Sequence, residues 1–233
     1  MEGLKRYDFL TQIECDTIVN EILSLEDAVK RLGPDIYVGT SEDSLTGRYA
    51  VFNYLNIRSI NTIICPKLKE IFGPCVVQCW ANIFRQGEGI DEHRHISDDS
   101  INTVLTTSRK IYMHKIPSEP PTTLGWRNCS FQVSNHLSSP PSVSFCSSFF
   151  AELKASGNVF LYGDPTIGTY YEGVKHDNKI GELSLFSPEM VHGVPKNTTD
   201  DMRISMAIDV HTGDEYLLNM LVSGQPKRFF YIR

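Results

Sequence analysis

Two strand-like blocks, far apart in the chain and each carrying histidine, constrain this sequence most. The first, W-A-N-I-F-R-Q-G-E-G-I-D-E-H-R-H (80–95), is apolar and β-leaning up to Gly87 and Gly89, which suit a turn, and then sets His93 and His95 two positions apart. Alternate residues of a strand point the same way, so both imidazoles can face one cavity. The second, F-S-P-E-M-V-H-G-V-P (186–195), presents His192 between two β-leaning runs, 99 positions after His93. M-R-I-S-M-A-I-D-V (202–210) follows and puts Arg203 and Ser205 on one strand face.

These residue types suit one kind of chemistry. Imidazoles and carboxylates on one side of a metal ion leave open positions for oxygen and a co-substrate, which suits non-haem Fe(II). A guanidinium grips a carboxylate through two parallel hydrogen bonds, as lysine cannot, and a nearby hydroxyl adds a donor. Taken with these residues, the sequence resembles the 2-oxoglutarate and Fe(II)-dependent oxygenases, in an H-x-H, prolyl-hydroxylase-like branch. G-x-G-I-D-E-H-R-H, V-H-G-V-P and R-I-S look like that family's three motifs, Arg203 following His192 by eleven positions. The context W-x-N-x-x-x-x-G recurs as Trp80, Asn82 and Gly87.

The resemblance implies a mainly β fold with flanking helices, a double-stranded β-helix (jelly roll) whose N-terminal helices pack on the major sheet. It implies Fe(II) held by His93 and His192, with 2-oxoglutarate bound by Arg203, Ser205 and Asn82. The third ligand stays open. Aligning Ile90 with the apolar residue before the family's first ligand puts His95 where the family has a carboxylate. Sliding by two makes His95 the first ligand and Ser97 its counterpart. The third ligand is then His95, Asp98 or Asp99 just beyond, or a water. The implied reaction is hydroxylation of a C–H bond on a small molecule or protein side chain. A β-helix module that binds metal or ligand without turnover is the alternative, and a metal cupin that needs no Arg203 is a third reading.

Composition sets the outer bounds. A chain of 233 residues that is 41% hydrophobic can build one large β domain with a helical flank. A net charge of −6 disfavours a general binder of nucleic-acid backbones. No apolar run is long enough to span a membrane, and the first residues lack the apolar core of a secretory signal. The six cysteines are scattered, as in a reducing compartment, so an intracellular, cytoplasmic protein is expected.

The remaining elements follow from periodicity. Residues 1–74 read as a helical flank. A short strand is expected over Tyr7–Leu10, then a helix capped by Thr11 and Glu14 and running to Leu32, and a second helix over Ser59–Phe72. Residues 75–214 read as the β core, with strands at 76–84, 145–153, 157–161 and 181–186, and a strand or helix at 215–222 follows to finish it. Asp164-Pro165 suits a turn, 175–181 reads as a solvated turn carrying His176, and Tyr170 and Tyr171 line a pocket or pack. Within the core, 101–144 is rich in Ser, Thr and Pro and reads as a lid, a disordered insert or an artefact of the gene model.

Overall fold

The computed structural model describes residues 3–32, 45, 48–95 and 152–233. Among these, ten strands form two antiparallel sheets. They are β1 (Lys5–Asp8), β2 (Cys75–Phe84), β3 (Ile90–His93), β4 (Glu152–Tyr162), β5 (Thr169–Tyr171), β6 (Val174–His176), β7 (Glu182–Phe186), β8 (His192–Val194), β9 (Arg203–Thr212) and β10 (Phe230–Ile232). The larger sheet runs β1-β7-β4-β9-β2-β10 and the smaller β3-β8-β5-β6. The helices are α1 (Gln12–Lys30), α2 (Arg58–Phe72) and α3 (Glu215–Gly224). This is the expected jelly roll with N-terminal helices on its major sheet.

Strand alternation splits the larger sheet into two chemically different faces. On β2, Cys75, Val77, Cys79, Ala81 and Ile83 enter the main apolar core, and on β9 Ile204, Met206, Ile208 and Val210 do the same. Ile18, Ile22 and Val29 of α1 and Ile60, Ile64 and Leu68 of α2 close that core from the helical side. The intervening positions, Gln78, Trp80, Asn82 and Phe84 on β2 and Arg203, Ser205, Asp209 and His211 on β9, must therefore point the other way, toward the smaller sheet. Buried polar residues concentrate there.

Local signals explain most element limits. The α1 capping box is complete, with Glu14 N donating to Thr11 Oγ1 at 3.3 Å and Thr11 N to Glu14 Oε2 at 2.8 Å. The helix ends at Lys30, two residues short of the expected end, with Arg31 as its cap. β1 starts two residues earlier than expected because its partner is β7, where Lys5 faces Leu185 and Asp8 faces Glu182. Residues 174–176 are not a solvated turn: they form β6, and His176 pairs with Thr169. Beyond α3, β10 pairs with β2 at the edge of the larger sheet. No helix among the described residues is long and apolar enough to cross a membrane. The stretch 101–144, with His114 and His136, lies outside the described residues, as do 145–151, Ser97, Asp98 and Asp99.

Candidate metal centre and anion pocket

β3 and β8 pair so that His93 lies directly opposite His192. Such closeness needs a residue without a side chain at 193, where a Cβ would sit 3.0 Å from Glu92 N and 3.1 Å from Ile90 O. Gly87 supplies the turn before β3, with φ of +82°. His95 follows the end of β3, its N–H donating to Pro188 O at 2.8 Å. The ring centroids stand 4.3 Å apart for His93 and His192, 4.9 Å for His95 and His192, and 5.4 Å for His93 and His95. One potential ligand atom from each histidine lies within 4.8 Å of the other two.

The tautomers are fixed from behind. His93 Nδ1 donates to Asp91 O at 2.9 Å and His192 Nδ1 to Met190 O at 3.0 Å; carbonyls can only accept, so these nitrogens carry the protons. His95 Nδ1 donates to Asp209 Oδ1 at 2.7 Å. The Ser156 hydroxyl donates to the same oxygen, also at 2.7 Å. With Nδ1 engaged from behind, each imidazole in its neutral form offers Nε2 as the ligand atom a metal needs.

The electrostatics follow from burial and from Asp209. Desolvation, together with the two neighbouring rings, pushes His192 down to about 3. Desolvation also lowers His93, with His95 adding to the effect. Burial would lower His95 too, but the Asp209 carboxylate overcomes it and raises that imidazole. Asp209 responds in the opposite sense: burial favours its neutral form, while His95 and Ser156 hold it below the usual carboxylate range. Burial and the Arg228 charge outweigh Asp209 at His211, which falls to about 4.

Deeper between the sheets, Arg203 is fully buried. Its Nη1 donates to Ser205 Oγ at 3.4 Å and its Nη2 to Thr169 Oγ1 at 3.3 Å, and the guanidinium packs near Phe84 and Phe160. Among the described residues Nε has no partner and no carboxylate pairs with this cation. Burial lowers it to about 10, so it stays protonated at neutral pH. A buried, uncompensated charge is costly unless an anion arrives to meet it. Asn82 reaches Ser205 Oγ at 3.5 Å and belongs to the same layer.

The structure therefore brings His93, His95 and His192 together, and joins Arg203, Ser205 and Asn82 in one buried polar cluster. Asp164 takes the turn role instead: its side chain accepts from Thr166 N at 2.8 Å and caps a 3-10 turn. Tyr171 is buried, 6.4 Å from the His192 ring, whereas Tyr170 alternates away from it. Sequence reasoning missed Asp209, Ser156 and Thr169. Asp209 carried the one usable signal, since it shares the face of Arg203 and Ser205 on an alternating strand.

No family model matches the chain, and no curated protein matches it. Solved structures do. The non-haem monooxygenase ThoJ in its nickel complex superposes with TM-score 0.50 at 15% identity, over 97% of this chain and 93% of that one. The non-haem α-ketoglutarate-dependent carbocyclase SnoK of nogalamycin biosynthesis gives TM-score 0.50 at 11% identity, over 91% and 81%. A prolyl hydroxylase from Trichoplax adhaerens, solved with a hypoxia inducible factor peptide, gives TM-score 0.50 at 10% identity, over 94% and 87%. At these identities the likeness is one of fold: the chain has the jelly-roll fold of the 2-oxoglutarate and Fe(II)-dependent oxygenases.

Proposed function

We propose that this protein is a non-haem Fe(II), 2-oxoglutarate-dependent dioxygenase that hydroxylates a C–H bond. One observation carries the reading: three imidazoles with free Nε2 atoms converge beside a buried guanidinium that has no anionic partner among the described residues. The donor set fits Fe(II), being borderline nitrogen ligands supplied from one side. The pocket fits a dicarboxylate, because Arg203 can pair with the far carboxylate while Ser205 and Thr169 add hydroxyls.

When bound, Fe(II) and 2-oxoglutarate would supply the oxidising power for the hydroxylation, chemistry that no side chain of the protein can provide. The residues of the chain do the rest. His93, His95 and His192 would hold the metal with their Nε2 atoms, and Asp91 O, Asp209 and Met190 O keep the Nδ1 protons in place. Arg203 would fix the far end of the diacid, and Phe84 and Phe160, packed against the guanidinium, would exclude water around that ion pair. His95 stands where the resembling oxygenases carry a carboxylate, and Asp209 supplies that negative charge from behind the ring.

The same departure favours a second reading, a metal- or ligand-binding module without turnover. Oxygen uptake decides between them. Purified protein with Fe(II) should consume oxygen only when 2-oxoglutarate is present, and His192→Ala should abolish the uptake. Metal binding without any 2-oxoglutarate-dependent uptake would select the module instead.

A further inference from the structure

The pocket-facing residues of β9 run in the order Arg203, Ser205, Ala207, Asp209 and His211. Asp209 is joined to the metal triad through His95, and on this strand face it lies between Arg203 and Ser205 on one side and the buried His211 on the other. A second cation stands on that far side. Arg228 is half-buried, and its carbonyl accepts from the buried amide of Asn53 at 2.7 Å. Its Nε donates to Gln78 Oε1 at 3.2 Å, and its guanidinium lies 5.3 Å from the Tyr49 ring and 5.0 Å from Phe229.

Gln78 is itself built in. It is 2% exposed and donates Nε2 to Tyr49 O at 2.9 Å. It pairs with Asp209 across β2 and β9, a step of about 5 Å between side chains. Tyr49 touches Trp80 at 5.7 Å, and Trp80 touches His95 at 5.7 Å, so aromatic rings run from the cation to the triad. Among the described residues only neutral groups hold Arg228, the other being Gln225 Oε1 at 3.5 Å from Nη1.

We propose that Arg228 anchors the primary substrate, and that this substrate is a small organic acid. A guanidinium immobilised by neutral partners keeps its charge and offers its Nη edge as a planar fork, which matches a carboxylate. A phosphate dianion would call for a second cation, and His211 beside it is held neutral at physiological pH by burial. The acid's carboxylate meets Arg228, its apolar body lies against Tyr49 and Trp80, and a C–H bond is presented to the triad from the side opposite the diacid. This rests on the functional reading above, which assigns the Arg203 pocket to 2-oxoglutarate.

The test uses the full chain loaded with Mn(II) and saturating 2-oxoglutarate, so that the Arg203 pocket is filled. Phenylacetate is the probe and phenylacetamide its uncharged control, with the manganese-induced broadening of the aromatic proton signals as the readout. Phenylacetate should bind saturably and the amide at least about tenfold more weakly, the usual scale of one charge-assisted contact. Arg228→Met should lose about tenfold for the acid while its affinity for 2-oxoglutarate is unchanged. Arg228→Lys, which keeps the charge without the fork, should fall between. Absence of saturable broadening, equal binding of acid and amide, or wild-type affinity in Arg228→Met overturns the proposal. Wild-type protein that takes up Mn(II) but not 2-oxoglutarate overturns the functional reading instead.

Discussion

Three neutral imidazoles compensate a metal dication less than two imidazoles and a carboxylate do, and Asp209 restores the missing charge one bond further out. Its oxygen accepts from both His95 Nδ1 and the Ser156 hydroxyl, so it is fully engaged and cannot itself swing to the metal without breaking both contacts. Asp209→Asn should therefore weaken Co(II) or Mn(II) binding by about ten- to a hundredfold. Adding His95→Asp to that variant moves the carboxylate inward and should recover much of the affinity; a titration showing no recovery would reduce Asp209 to a packing role. The buried histidines also give the metal-free protein a pH signature. His211 at about 4 and His192 at about 3 lie below their ordinary value of 6.5, so the unfolded chain binds more protons over that interval. Their contribution to stability is full above pH 6.5 and is lost as pH falls through 4 and 3, on the order of 3 kcal/mol for His211 alone. Urea melts of metal-free protein between pH 7.5 and 4 should show this decline, and His211→Gln should flatten it. A stability that holds level or rises toward acid would contradict the assignment.

At the scale of elements, the sheet edges and the loops that cross them matter most. Asn53 is fully buried; its amide donates to Val77 O at 2.8 Å and to Arg228 O at 2.7 Å, while its carbonyl oxygen accepts from Leu55 N at 2.9 Å. One side chain thereby ties the loop after β9 and α3 to β2. Asn53→Ala strands these groups and should cost about 2–4 kcal/mol in chemical denaturation, whereas Thr11→Ala removes only a cap and should cost about 1 kcal/mol. Much of this level was legible in the chain. The T-x-x-E signal announced α1, the change from helical to alternating period placed β2, and Gly73 with Pro74 ended α2. The short strands were harder to read. β6 carries only three residues, Val174–His176, with no apolar alternation to reveal it, and β10 is defined by pairing with Cys75–Val77 rather than by its own pattern. A strand made by its neighbour leaves little trace in its own sequence.

For the molecule as a whole, the jelly roll was readable through the family resemblance that the two histidine blocks and the R-x-S strand carry. The support behind the imidazoles was not: Asp209, Ser156 and Thr169 are common residues whose roles come from cross-strand register, which no single strand encodes. The central claim is that the three histidines hold one metal while Arg203 receives a diacid beside it. Calorimetric titration of 2-oxoglutarate into the Mn(II)-loaded protein tests this most directly. One equivalent should bind, Arg203→Gln should weaken it by at least about tenfold, and protein without metal should bind it more weakly. Binding that is indifferent both to the metal and to Arg203 would contradict the account.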